Sequence, residues 1–223
     1  MTVMYGVGAR LRAAKVLLVT ALELPAPLPE LVRAGVGMVA IRDEEHSDQE
    51  LARELAALRC SVPPGRILLG VCDRTGAGDA ADFVQHRACL GEEGGGSPPL
   101  GKLVGSACGT QKAFDAALAH PAIGYICLGP APAPGLIRHA AARAPQADAA
   151  AKVWFACGGV DQGNLAALAA LGARRIAVGD ALTQAGDPVA AAAALSAALR
   201  QVWAADPAME GFALRSSAVA VGR

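Results

Sequence analysis

Aromatic rings are scarce in this chain of 223 residues: four Phe, two Trp and two Tyr make up 4% of it. So few rings argue against the stacking platform on which single-stranded nucleic acids are held. Charge of one sign is missing too, since 20 Lys and Arg balance 20 Asp and Glu. A formal net charge of zero leaves no basic footprint for DNA, RNA or an acidic membrane. No apolar run approaches the roughly 20 residues that a spanning helix needs. The run Val16 to Thr20 follows basic residues, but it is shorter than a signal-peptide core of about 7–15 residues. It reads as a first strand, and the protein as cytoplasmic. The six cysteines, Cys60, Cys72, Cys89, Cys108, Cys127 and Cys157, contain no C-x-x-C pair. Their spacing matches neither a zinc motif nor a disulfide scaffold.

What is present is a repeated alternation. Hydrophobic residues make up 53% of the chain and charged residues 18%, a globular balance with enough apolar surface for a sizeable core. Strand-length apolar runs are expected at 15–20, 36–42, 67–73, 87–92, 103–109, 123–130, 152–157 and 175–178. Helical segments separate them. One covers Leu28–Ala34 and is ended by Gly35. Another is opened by Ser47, with Glu50 as its capping-box partner. A short one covers 78–84, one is capped by Thr110, one follows the rigid loop APAPG (131–135), and the last starts at Asp187-Pro188. Nearly continuous apolar strands between amphipathic helices imply a parallel sheet covered by helices. About eight such units closing on themselves make a (β/α)8 barrel, expected over residues 1–205, with 206–223 as a loosely held tail. An open doubly wound sheet is the other arrangement, but no G-x-G-x-x-G follows the first strand.

Gly158-Gly159 directly follows the seventh apolar run, with Asn164 a few residues on, and Gly179-Asp180 ends the eighth. Strand, Gly-Gly turn, helix, strand, Gly turn is how the last two units of such a barrel build a phosphate site. Glycines let backbone N–H groups approach an anion, and a helix start adds a favourable dipole. Gly158, Gly159 and Gly179 are therefore the phosphate-binding candidates. The bland reading is a pair of tight turns.

The order of motifs resembles the thiamine phosphate synthases and their tautomerase-like relatives, over roughly Lys15 to Val202. Leu18-Val19-Thr20 matches the end of that family's first strand. Gly35 to Glu44 matches its Gly-Val-x-x-Val-Gln-x-Arg-x-Lys, and Cys72-Asp73-Arg74 its Asn-Asp-Arg. Cys89 to Gly94 matches its His-x-Gly-Gln-x-Asp, Cys127-Leu128-Gly129-Pro130 its Gly-x-Gly-Pro, and Cys157-Gly158-Gly159-Val160 its Ile-Gly-Gly-Ile. The resemblance implies a transferase of thiamine biosynthesis. It joins a pyrimidine diphosphate to a thiazole phosphate, with Mg²⁺ assisting the departure of diphosphate. It also implies Arg42 on the diphosphate, and Asp73 with a second carboxylate, Glu92 or Glu93, on the metal.

The chain departs from the pattern at several of these places. Ala40 stands for the glutamine, Glu44 for the lysine, Cys72 for the asparagine, Gly94 for the second aspartate and Ala107 for the serine after the fifth strand. APAPG replaces the Thr-x-Thr-Lys loop, and Asp180 replaces the serine of the eighth strand, where an acid disfavours phosphate. The expectation is a divergent synthase-like barrel acting on a phosphorylated heterocycle. The alternatives are a non-catalytic ligand- or partner-binding barrel and a working synthase. Cys72, Cys127 and Asp180 complete the candidate pocket. Cysteines at the ends of strands three to seven could also converge on the mouth as a soft-metal or nucleophile site, against the plainer reading as apolar filler. The expected partners are a small phosphorylated molecule and a second copy of the chain, with no nucleic acid and no membrane.

Overall fold

Eight parallel strands follow one another around a closed barrel, each hydrogen-bonded to the next and the last returning to the first. The computed structural model describes residues 6–76, 80–87, 102–209 and Phe212. The strands are β1 Val16–Thr20, β2 Val36–Ile41, β3 Leu68–Cys72, β4 Phe83–His86, β5 Leu103–Cys108, β6 Tyr125–Leu128, β7 Val153–Cys157 and β8 Ile176–Val178. Their residues are almost all buried, as a sheet covered on both faces requires. The helices are α1 Val7–Ala13, α2 Leu28–Ala34, α3 Asp48–Cys60, α4 Gln111–Ala119, α5 Pro134–Arg143, α6 Leu165–Ala170, α7 Asp180–Thr183 and α8 Pro188–Ala204. Among the described residues no helix is long and apolar enough to cross a membrane.

Side chains that point outward from the strands pack against the helices, and those that point inward fill the barrel. Inside lie Leu17, Met38, Leu68, Phe83, Tyr125 and Phe155. Tyr125 meets both Phe83 and Phe155 edge-on, at 5.9 Å between ring centres. Three of the eight aromatic residues thus plug the barrel. Nearer the C-terminal ends of the strands the interior turns smaller and softer: Ala40, Cys72, Cys127 and Cys157.

Three features differ from, or add to, what the sequence led to expect. The fourth strand is 83–86 rather than 87–92, and no helix is described between β3 and β4, since Val84 already lies in the strand. An apolar run is absent there because Gln85 points inside. Its amide donates to the His86 carbonyl at 2.8 Å and its Oε1 accepts from the Cys127 thiol at 3.3 Å. Those bonds let a polar residue sit in the core. Second, α1 precedes the barrel and seals its N-terminal end with Leu11 and Ala14. Third, the chain after α8 is held. Asp206 pairs with Arg174 at 2.8 Å, Pro207–Met209 forms a 3-10 turn, and Phe212 packs edge-on against Trp203 at 5.5 Å. The rest of 206–223 lies outside the described residues.

Candidate functional site

Parallel strands bring all their C-terminal ends to one mouth, and the polar candidates gather there. Arg42 follows β2. Ala40 is inside the barrel, so strand alternation turns Arg42, two residues on, to the same side. Its side chain is exposed and makes no hydrogen bond or ion pair with any described residue. Among the described residues it is a cation without a partner at the mouth of the barrel.

Asp73 follows β3 and adopts a left-handed backbone, φ 52°, which is uncommon outside glycine. Its partner is Arg87, the first residue past β4. Both Asp73 oxygens are taken by that residue. Oδ1 accepts from the Arg87 backbone N–H at 2.9 Å, and Oδ2 accepts from its Nε. Arg87 Nη2 reaches on to Glu44 Oε1 at 3.3 Å. The hydrogen bond to Asp73 pushes the Arg87 pKa further up, so the guanidinium is a fixed positive charge. His86 lies beside the pair, its Nδ1 at 3.8 Å from Asp73 Oδ1, and its buried Nε2 has no partner.

Arg74 acts on the rim instead. It donates to Asp48 Oδ1 at 3.0 Å, Asp43 Oδ1 at 3.3 Å and the His46 carbonyl at 2.7 Å, fastening the β2–α3 loop to β3. Asp43 in turn accepts from the His46 backbone N–H at 2.9 Å and meets its Nδ1 at 2.8 Å. Burial pushes Asp43 up, but the His46 hydrogen bonds more than offset it and its pKa lies below the usual carboxylate value.

On the opposite side of the mouth, Gly158 and Gly159 both have positive φ, 87° and 64°. A side chain at Gly158 would strike the Pro130 carbonyl oxygen, 2.2 Å from its Cβ, so the turn presses against the β6–α5 loop. Asn164 fixes its shape: Nδ2 donates to the Gly159 carbonyl at 2.6 Å, and Oδ1 accepts from Asp161 N–H at 3.2 Å. The backbone N–H groups of Gly158, Gly159 and Gly179 meet no acceptor among the described residues. Asn164 is the flanking residue of α6 rather than part of its first turn, and α6 has only 6 residues. Any anion here is held by loop N–H groups more than by a helix dipole. Asp180 sits in the first turn of α7, exposed, without a capping bond. Beside these turns is a cleft of about 270 Å³ lined by Asp161, Gln162, Gly163, Ala181, Ala191 and Leu195.

Cys72, Cys127 and Cys157 do converge inside the barrel, as the sequence suggested. Cys108 does not join them, because it packs outward against α4 and α5. Burial pushes the Cys72 thiol up to about 11, and a hydrogen bond with Cys157 together with burial raises Cys127 well above its usual value. Protonated thiols are poor nucleophiles and poor ligands. Among the described residues no group of three His, Cys, Asp or Glu side chains is arranged to hold a metal ion. Cys89, Glu92 and Glu93 lie outside the described residues.

Arg87 and His86 are the residues that sequence reasoning missed. Had the fourth strand been set at 83–86, Arg87 would have stood at its C-terminal end, where barrels place functional side chains.

No protein-family model matches the chain. Among curated proteins it is 33% identical over 204 residues to the thiamine-phosphate synthase of Streptomyces avermitilis, spanning 80% of this chain and 87% of that one. To the thiamine-phosphate synthase of Acidothermus cellulolyticus it is 32% identical over 198 residues, spanning 79% and 88%. Among solved structures it superposes on a thiamine phosphate pyrophosphorylase from Pyrococcus furiosus. The TM-score is 0.68 at 20% identity, over 86% of this chain and 98% of that one, and this likeness speaks for the fold alone.

Proposed function

The chain belongs to the thiamine-phosphate synthase family, and from that premise we propose that it is an enzyme acting on a phosphorylated heterocycle at the C-terminal mouth of its barrel. In this reading the phosphate rests on the N–H groups of Gly158, Gly159 and Gly179, and Arg42 supplies mobile positive charge. The observation that carries it is the pairing of an unpartnered Arg42 with three glycine N–H groups that lack acceptors, at the end of the barrel where such folds bind ligands. We further propose that the transfer chemistry is altered from that of an ordinary synthase. Glu44 stands at the lysine position implied by the resemblance, and Asp73 faces a guanidinium.

A non-catalytic ligand-binding barrel is the second reading, favoured by the raised pKa of the Cys72 and Cys127 thiols below the mouth, which leaves them no nucleophilic role. One assay tests the alteration against ordinary synthase chemistry. The pyrimidine diphosphate, the thiazole phosphate and Mg²⁺ are incubated with the protein and with Arg42→Ala, and thiamine phosphate is read by mass spectrometry. Altered chemistry predicts little or no thiamine phosphate from the folded protein. Robust product that disappears with Arg42→Ala would establish an ordinary synthase and contradict the alteration.

A further inference from the structure

Glu44 by itself is a charge reversal beside an expected phosphate, and Asp73 by itself is half of a metal site. Arg87 joins the two. Its Nε and backbone N–H hold both oxygens of Asp73, and its Nη2 holds Glu44. The positive charge has not been lost from the mouth. It has moved from the end of β2 to the end of β4, where two carboxylates tether it.

This arrangement does not suit the Mg²⁺ that the family resemblance implies. Mg²⁺ needs carboxylate oxygens at about 2.0–2.1 Å in near-octahedral order and dehydrates reluctantly. Beside Arg87 the described residues offer Asp73 and Glu44. The Arg87 backbone N–H holds one Asp73 oxygen, and its guanidinium holds the other and one oxygen of Glu44. Charge-assisted bonds of this kind are short and roughly twice as strong as neutral ones.

We propose that the mouth binds a phosphate group without a divalent metal, the Arg87 guanidinium, tethered by Asp73 and Glu44, standing in the place of the metal across the mouth from the glycine N–H groups. Both donors of Nη1 and one of Nη2 remain without a described partner and are available to phosphate oxygens. Arg87 is 49% exposed, so its free edge is within reach of a ligand. The inference rests on the mouth being a phosphate site at all, as proposed above.

The test uses the full-length protein and two probes. Inorganic phosphate binding is measured by calorimetry in EDTA and again in Mg²⁺, and Mn²⁺ binding alone by electron paramagnetic resonance. The proteins are wild type, Arg87→Met, Arg87→Lys and Asp73→Asn, each checked for folding by circular dichroism. The expected result is phosphate binding of equal affinity in EDTA and Mg²⁺, with no Mn²⁺ bound. Arg87→Met should weaken phosphate about tenfold or more, and Arg87→Lys less. Phosphate binding that requires Mg²⁺, or Mn²⁺ bound by wild type and lost in Asp73→Asn, would overturn the proposal and leave the phosphate site standing. Metal-free binding untouched by Arg87→Met would overturn the role of Arg87. No phosphate binding under either condition would overturn both the proposal and the phosphate site beneath it.

Discussion

Gly158 and Gly159 are neighbours with the same hand of backbone but different surroundings. Left-handed φ costs a non-glycine residue roughly 1–2 kcal/mol, and both positions carry that cost. Only Gly158 lies against another loop, with the Pro130 carbonyl oxygen 2.2 Å from where a Cβ would be; Gly159 has open space. Gly158→Ala is therefore expected to lose clearly more stability than Gly159→Ala in urea denaturation, and Gly159→Ala to lose about the strain alone. Equal losses would mean that the β7 turn does not rest on the β6 loop. The Gly-Gly pair was legible as a special turn from the sequence, because glycine is the residue such backbones select. Its contact with Pro130 was not, since nothing in the spacing says which loops meet across the mouth. Arg42 and Asp73 were legible as strand-end residues. That Asp73 pairs with Arg87 rather than with Arg42 required coordinates.

At the scale of elements, the helix starts were the most readable features. Ser47 and Glu50 form the expected capping box, Thr110 accepts from Ala113 N–H, and Asp187 accepts from Ala190 N–H. Caps are local, so local sequence is enough to find them. Strand β4 was not readable because its inward Gln85 is satisfied in part by a residue distant in sequence, Cys127. The loop before α3 carries a pH dependence. The hydrogen bond to Asp43, then its charge, raises the His46 pKa above the usual 6.5. The stabilisation from His46 is complete below that value and is lost as pH rises through its raised folded pKa. Asp43 is lowered below its usual 3.8, so its contribution is complete above that value and is lost as pH falls through its folded pKa. The pair contributes most between the two. The stability difference between wild type and His46→Ala is expected to be largest in mildly acidic solution and to shrink toward alkaline pH. A difference that stays constant across pH would contradict the pairing.

Among the described residues, the molecule is closed at the N-terminal end of its barrel. At the N-terminal end, α1 and the segment after α8 seal the barrel. Arg175 is buried there, donating to the Arg12 carbonyl at 2.8 Å, under Trp203 and Phe212. Burial, then the nearby Arg12, lowers its pKa to about 9. A crevice beside it, too narrow to hold a water, is lined by Arg12, Gln146, Lys152 and Phe212. The (β/α)8 architecture was legible because each unit repeats the same strand and helix periods. The seal was not, because α1 and the 3-10 turn are too short to show a period. With the lower end closed, ligand binding falls to the upper end. The direct measurement is a titration of the ¹⁵N-labelled protein with inorganic phosphate, followed by amide chemical shifts. The account predicts the largest shifts at Gly158, Gly159 and Gly179, with Arg42 and Arg87 among the affected amides. Shifts gathered around Arg175 at the closed end, or none at the mouth, would contradict it.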